Sequence, residues 1–448
     1  MILEISENLQ RLNELSEVPI YVVGGYVRNH FAGKRSQKTD IDLAGPAIAE
    51  ALGVSRRFDI RVVNYKLGTA LVRGNDESYE YTPFRTEKYV GGEHTPSEIR
   101  FTTDLVKDAV RRDFTCNSIY YDITNDKIID PLGGVADIEK KVIRCYDPEK
   151  TFSADGLRIL RMIRLAVELG FKIDGATASS AQKNAHLLRD ISAERRRDEL
   201  EKILQADTRY GEENAHYRGV KLIAKLGLWK YLIPQLEDGA GLAQNPQYHK
   251  YDVLEHTNKT VQYAPPEVRL AALMHDIGKP YCVSKFGNMH GHEKVSANIV
   301  RYTLGEYGLK YPSSVIDEVE WLCSNHMYDM DGKTKEAKLR IFVAKNFNYI
   351  DKLIMLMKAD NKARGMEDEP PKEIRLEKIK QALIDEKAPL TLSDLALDGS
   401  TLILEGIQPV KIGHVLNELW RACVIEPRLN NTEWLLSQVK KYAQEGTI

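Results

Sequence analysis

Tyr21-Val-Val-Gly-Gly-Tyr-Val-Arg28, followed by Lys38-Thr-Asp-Ile-Asp-Leu43, is the stretch from which the fold can be read. A short apolar run ends in a glycine pair and an arginine, and two aspartates then appear two residues apart. Alternation along a strand puts Asp40 and Asp42 on one face, with Ile41 and Leu43 turned toward a core. Adjacent carboxylates repel and are best tolerated around a divalent cation. Gly24 and Gly25 let the backbone approach a ligand closely, and amides at the start of the next helix favour an anion such as a triphosphate. Asp-x-Asp alone is common on solvated strand edges. Behind a Gly-Gly-x-x-Arg turn it suits metal-dependent nucleotidyl transfer.

With 448 residues, the chain is long enough for two to four domains. Lys+Arg (63) nearly balances Asp+Glu (65), so any polyanion site must come from local clustering. Five scattered cysteines without a C-x-x-C favour a reducing compartment. No apolar run spans a bilayer, and the N-terminus lacks a signal-peptide pattern, so the expectation is a cytoplasmic protein with no membrane partner.

Up to about residue 145, short β-rich runs alternate with turns: 19–23, 39–43, 60–65, 69–72, 79–84 and 118–122. Pro83 predicts an edge or terminal strand for 79–84. Residues 87–100 read as a long mobile loop. From Phe152 onward the three- and four-residue spacing is helical almost to the end, and Glu367-Asp-Glu-Pro-Pro-Lys372 is the clearest linker.

Arg111-Arg-Asp-Phe-Thr-Cys-Asn117 places two arginines, a carboxylate, a hydroxyl and an amide together, as phosphate and sugar contacts require; a capped turn with surface ion pairs would look the same. In Ser153-Ala-Asp-Gly-Leu-Arg-Ile-Leu-Arg-Met-Ile-Arg164, a single helix would make Asp155 and Arg158 i,i+3 neighbours, with Arg161 and Arg164 continuing the stripe. Asp155 could equally be an N-cap. Ser192-Ala-Glu-Arg-Arg-Arg-Asp-Glu199 reads as a capped helix start with a basic run.

These motifs, with Asp130-Pro-Leu-Gly-Gly134, occur in the order found in class II CCA-adding enzymes, and the chain resembles that tRNA nucleotidyltransferase family, which includes bacterial poly(A) polymerases, over roughly residues 15–240. The resemblance implies an α+β fold: an N-terminal mixed-sheet, polymerase-β-like nucleotidyltransferase palm, then an all-helical neck, body and tail. It further implies Mg2+ on Asp40 and Asp42, with Glu80 as a third active-site carboxylate. Gly24, Gly25 and Arg28 would face the triphosphate, and Arg112, Asp113 and Asn117 would hold the nucleotide. Asp155 and Arg158 would read the base, with Arg161 and Arg164 nearby. Two positions depart from the family pattern: Asn29 replaces an aspartate after Arg28, and Ala154 replaces a glutamate before Asp155.

A second constellation runs from His249 to Asp360. Adjacent His275-Asp276 with distant His256 and Asp360 resembles the HD superfamily of metal phosphohydrolases, which implies one metal site on these four residues and a second ion on His292 and His326. A mixed N/O set without thiolate suits Mn2+, Fe2+ or Ni2+. The implied domains are a head at 1–146, neck at 147–205, body at 206–245, HD domain at 246–366 and tail at 373–448. The expected activity is addition of CMP and AMP from CTP and ATP to a tRNA 3′ end, by a two-metal mechanism that releases pyrophosphate. The alternatives are a poly(A) polymerase or a CC- or A-adding enzyme, and an HD phosphohydrolase whose head only binds RNA. A non-catalytic RNA-binding protein would show broken metal ligands, and neither motif is broken. Sequence leaves the oligomeric state open.

Overall fold

The computed structural model describes residues 3–34, 41–74, 76–89, 96–366 and 373–445. Asp40 and the linker at 367–372 therefore lie outside the described residues. The chain divides into two compact units, residues 1–238 with 303–311, and residues 239–302 with 312–448.

The first unit is built on a seven-stranded mixed sheet. Its strands come from β1 (Tyr21–Val23), β2 (Asp42–Gly45), β3 (Asp59–Asn64), β4 (Thr69–Gly74), β5 (Glu77–Pro83), β8 (Tyr120–Asp122) and β9 (Lys127–Ile129), in the order β3-β4-β5-β2-β1-β8-β9. Two further strands, β6 (Arg85–Lys88) and β7 (Glu98–Phe101), form a separate antiparallel hairpin. The stretch expected to be one mobile loop is thus partly strand: Arg85 pairs with Phe101 and Lys88 with Glu98. The edge assignment of residues 79–84 is also corrected. β5 is interior, antiparallel to β4 and parallel to β2. Pro83 is tolerated because it is the last residue of β5, and Phe84 N–H takes up the bonding by donating to Gly45 O at 2.7 Å.

Val23, Ala44, Phe84, Ala109 and Tyr120 pack as one apolar cluster beneath the sheet and the Leu105–Arg111 helix. Each large apolar side chain buried this way contributes about 1.5–3 kcal/mol. That cluster fixes the ends of β1 and β2, where the site residues sit.

After the sheet, the structure is mostly helical; a short parallel pair, Val142–Ile143 with Lys172–Ile173, persists. The expected continuous helix from Phe152 is in fact two, Pro148–Ala154 and Leu157–Leu169. Asp155 is extended (φ −152°, ψ 106°) between them. Gly156 is needed at the break: a Cβ there would come within 2.9 Å of Leu187 Cβ. Asp155 and Arg158 are therefore not i,i+3 neighbours of one helix. The second unit is helical, and no described helix is long and apolar enough to cross a membrane.

Candidate functional site

A cleft of about 440 Å³ opens in the first unit. Every described nucleotide-site residue expected from the sequence lines it: Gly24, Gly25, Arg28, Asp42, Arg112, Asp113, Asn117, Asp155, Arg158, Arg161 and Arg164. Arg111 and Arg195, from two motifs quoted above, join them, as does Arg209, which sequence reasoning did not single out.

Its acidic end is set by strand register. Val23 opposes Asp42 across β1 and β2, and Asp42 opposes Glu80 across β2 and β5. Opposed residues share a sheet face, so the Asp42 and Glu80 carboxylates project on one side. Both are exposed, whereas Leu43, Tyr79 and Tyr81 are buried. Gly24 has φ +78°, and a Cβ there would lie 3.1 Å from Asp42 Oδ2, so glycine leaves room beside the carboxylate. Exposed oxygens on one sheet face suit a hard divalent cation.

The remaining residues form a relay of charged and amide groups. Arg28, only 4% exposed, donates to Asn117 Oδ1 at 2.7 Å and to Asn29 Oδ1 at 2.8 and 3.1 Å. Asn29 in turn donates to the Tyr210 hydroxyl at 2.9 Å. The amide at the departing position thus still accepts from the arginine while carrying no charge. Asn117 donates to Asp113 Oδ1 at 2.9 Å, and Arg161 donates to Asp113 Oδ2 at 2.6 and 3.0 Å. Burial alone would raise the Asp113 carboxyl, but Arg161 and Arg158 hold it well below the usual range. Asp113 positions its neighbours.

Arg112 is held differently. Its guanidinium donates to Asp108 Oδ2 at 3.0 and 3.1 Å and to the Tyr120 hydroxyl at 3.0 Å, and Tyr120 donates to the same carboxylate at 2.7 Å. Arg111 bonds the other oxygen of Asp108 at 2.8 Å. Burial pushes the Asp108 carboxyl up, and Arg112 and Arg111 outweigh it, bringing it to about 2. Asp108 was missed from the sequence, although its i,i+3 and i,i+4 spacing to the two arginines was a readable signal.

Eleven of the thirteen residues of the Leu157–Leu169 helix are buried; the exceptions are Arg158 and Arg161. Arg164 is buried against Glu199 at 2.8 Å. Asp155 accepts from Leu157 N at 3.0 Å and from Arg195 at 2.7 Å, so it both caps the helix and forms an ion pair. Arg158 donates to the main-chain oxygens of Thr151 (3.4 Å) and Arg111 (3.2 Å), with no carboxylate at ion-pair distance among the described residues. Buried Ala154 stands where the family glutamate would.

In the second unit, His256, His275, Asp276, His292, His326 and Asp360 converge, all at most 6% exposed. Asp276 divides them. Its Oδ2 lies 3.4 Å from His256 Nε2 and 3.2 Å from His275 Nε2. Its Oδ1 lies 3.1 Å from His292 Nε2 and 3.7 Å from His326 Nε2. Asp360 Oδ1 is 3.0 Å from His256 Nε2. Two groups, His256-His275-Asp276 and Asp276-His292-His326, each bring their ligand atoms within 4.8 Å of one another.

The tautomers follow from the main chain. Nδ1 of His275, His292 and His326 lies 2.8, 2.9 and 2.7 Å from the carbonyl three residues earlier, so Nδ1 carries the proton and Nε2 keeps its lone pair. Two such Nε2 atoms, of His292 and His326, face each other at 3.2 Å. His256 Nε2 and His275 Nε2 are buried without hydrogen-bond geometry to any partner. Converging lone pairs of this kind fit a bound cation. Lys279, also missed from the sequence, donates to Asp276 Oδ2 at 2.5 Å and Gln244 Oε1 at 2.7 Å.

Three family descriptions match the chain in turn: "Poly A polymerase head domain" at residues 20–144, "Probable RNA and SrmB- binding site of polymerase A" at 170–239, and "HD domain" at 249–386. A CCA-adding enzyme of Bacillus pumilus is 40% identical over 219 residues, 48% of this chain and 52% of that protein, so the chain spans about half the length of such relatives. Two relatives match almost throughout. The Ligilactobacillus salivarius CCA-adding enzyme is 27% identical over 95% of this chain and 93% of its own, and the Deinococcus radiodurans A-adding tRNA nucleotidyltransferase is 29% identical over 90% of each. The crystal structure of the Bacillus stearothermophilus CCA-adding enzyme in complex with CTP shares the fold, with a TM-score of 0.66 over 98% of both chains at 24% identity. The chain is thus similar to CCA-adding enzymes along almost its whole length and to poly(A) polymerases in its head, with an HD-domain match in its C-terminal region.

Proposed function

We propose that the chain adds CMP and AMP from CTP and ATP to the 3′ end of tRNA, building CCA and releasing pyrophosphate. The observation that carries this reading is the register of Asp42 with Glu80 beside Gly24, at the end of an arginine-lined cleft. Asp42, with Asp40 as the partner that the sequence pattern gives it, would hold Mg2+. When bound as a pair, the ions would neutralise the triphosphate and stabilise both the attacking and leaving oxygens.

The chain's own residues do the rest. Arg28, steadied by Asn29 and Asn117, and Arg112, steadied by Asp108, hold the triphosphate. The terminal ribose hydroxyl attacks the α-phosphorus, a new P–O bond forms, and the bond to the β-phosphate oxygen breaks. Glu80, exposed on the same face as Asp42, takes the hydroxyl proton. Asp155 and Arg158 read the base edge, a contact worth about 1–3 kcal/mol of discrimination. The work is that of a cytoplasmic tRNA-processing enzyme.

Incubation with tRNAs ending in the discriminator base, in C-C and in C-C-A, with each nucleotide separately, tests this. CMP should be added to the first and AMP to the second, with no extension of the third. A second reading, addition of A alone, is favoured by the ion pair that engages Asp155 with Arg195 and by the near-full-length A-adding relative. Extension of the C-C end alone would establish it.

The HD centre supports a second activity, hydrolysis of small phosphate esters or cyclic nucleotides. His256, His275, Asp276 and Asp360 would hold one Mn2+, Fe2+ or Ni2+, with Asp276, His292 and His326 holding another. When bound, the metal would supply Lewis acidity toward the phosphate. Ester hydrolysis by the purified protein with Ni2+ or Mn2+ tests it; no metal uptake and no turnover would reject it.

A further inference from the structure

Helices Ser313–Asn325, Glu336–Lys345 and Ile412–Ile425 border a groove of about 710 Å³ whose residues belong to neither centre. One wall is aromatic. Phe342 stacks on Tyr328 with centroids 3.7 Å apart and planes 11° from parallel. Trp321 lies nearly parallel to Phe342 (6.1 Å, 17°) and to Tyr349 (5.1 Å, 26°). All four rings are only partly buried.

The rim is cationic. Lys335, Lys338, Lys345 and Arg421 line the groove, and no aspartate or glutamate does. The three lysines are exposed, and among the described residues none has a carboxylate at ion-pair distance; Arg421 is 3.9 Å from Glu418. The chain as a whole carries a net charge of −2, so four cations with no acid in the groove lining are local clustering.

The two observations select one chemistry. The rings already stack on one another, so an acidic peptide would satisfy the lysines but offer no planar group to extend that stack at its Tyr328 end. Unpaired nucleotides offer both phosphates and planar bases, and a positive groove lined with aromatics is how single strands are held without sequence preference. We propose that this groove binds unpaired nucleotides of an RNA. The proposal rests on the reading above only in taking RNA as the substrate.

The test uses the full chain and fluorescence anisotropy with a labelled twelve-nucleotide oligouridine and with tRNA. Lys338→Glu with Lys345→Glu should raise the Kd for the oligonucleotide about tenfold, and should flatten the dependence of log K on log salt by about 1.4, the value for two single-strand phosphate contacts. Nucleotide addition at saturating tRNA should stay unchanged, since neither lysine is in the cleft. A 4-thiouridine oligonucleotide should cross-link to Trp321 or Tyr328. Unchanged Kd and salt slope, with cross-links elsewhere, would overturn the proposal. So would binding of poly-glutamate, and not RNA, that the two substitutions abolish. A parent protein that adds nucleotides while the substitutions leave RNA affinity intact overturns the groove alone; one that binds RNA through the groove and adds nothing overturns the transferase reading and supports the groove.

Discussion

The cleft of the first unit and the HD centre of the second both gather charged groups, by opposite means. In the cleft, arginines are steadied by carboxylates and amides, as with Arg28 on Asn117, Arg161 on Asp113 and Arg112 on Asp108. The donors left over face an open space fit for a polyphosphate. In the HD centre, three imidazoles spend Nδ1 on the main-chain carbonyl three residues earlier and turn Nε2 inward on a shared aspartate. A site for a mobile polyanion is an arginine scaffold with exposed carboxylates; a site for a resident cation is a buried set of fixed lone pairs. The contrast is of protonation as much as geometry.

The largest expected effect breaks the comparison in half. Asp42→Ala should lower nucleotide addition by at least about 10²–10³-fold, the scale of losing one electrostatic group at a reacting centre, and leave ester hydrolysis by the HD centre intact. Asp276→Ala should do the reverse, since it removes the carboxylate common to both histidine groups. Assaying both activities in both proteins checks the crossover, and parallel loss in either protein would contradict it.

Next comes Asp108. Its carboxyl sits at about 2 in the folded chain against an ordinary 3.8, because Arg112 and Arg111 outweigh its burial. A lowered folded value means stability that is present above about pH 4 and is lost as pH falls toward 2, in total about 2 kcal/mol. Asp108→Asn should therefore be less stable at neutral pH by about 2 kcal/mol, with two half-buried guanidinium groups left short of a charge partner. Its denaturation midpoint should also fall less steeply than the parent's between pH 4 and 2. Urea titrations across that range measure both.

The smallest effect sharpens the account of base choice. Asp155→Ala and Arg158→Ala should relax selection among CTP, ATP, UTP and GTP by about tenfold while slowing addition less. Ala154→Glu should tighten selection, because it offers Arg158 a carboxylate where it now has only main-chain oxygens. Incorporation ratios for the four nucleotides decide; a uniform loss with unchanged ratios would make Asp155 a helix cap alone.

Much of the cleft could be read from the sequence because strand alternation and glycine chemistry are local. Asp42 and Gly24 follow directly, and Glu80 needed only the neighbouring strand, whose register supplies it. The Asp155–Arg158 helix was misread because periodicity registers neither the extended backbone at Asp155 nor the close packing of Gly156 on Leu187. Asp108 was missed because its burial beneath Arg112 is set by the fold and not by its local sequence. In the HD region the ligand types were visible. Lys279 and the tautomers were not, since both depend on which group stands at hydrogen-bond distance once the helices are formed.

The central claim is that Asp42 and Glu80 flank the reacting phosphate. Anomalous scattering from crystals soaked with Mn2+ and CTP tests it most directly. The account predicts a Mn2+ peak within about 2.2 Å of an Asp42 oxygen, with the triphosphate against Arg28 and Arg112. Mn2+ found only among His256, His275 and Asp276, with CTP bound away from Asp42, would contradict it.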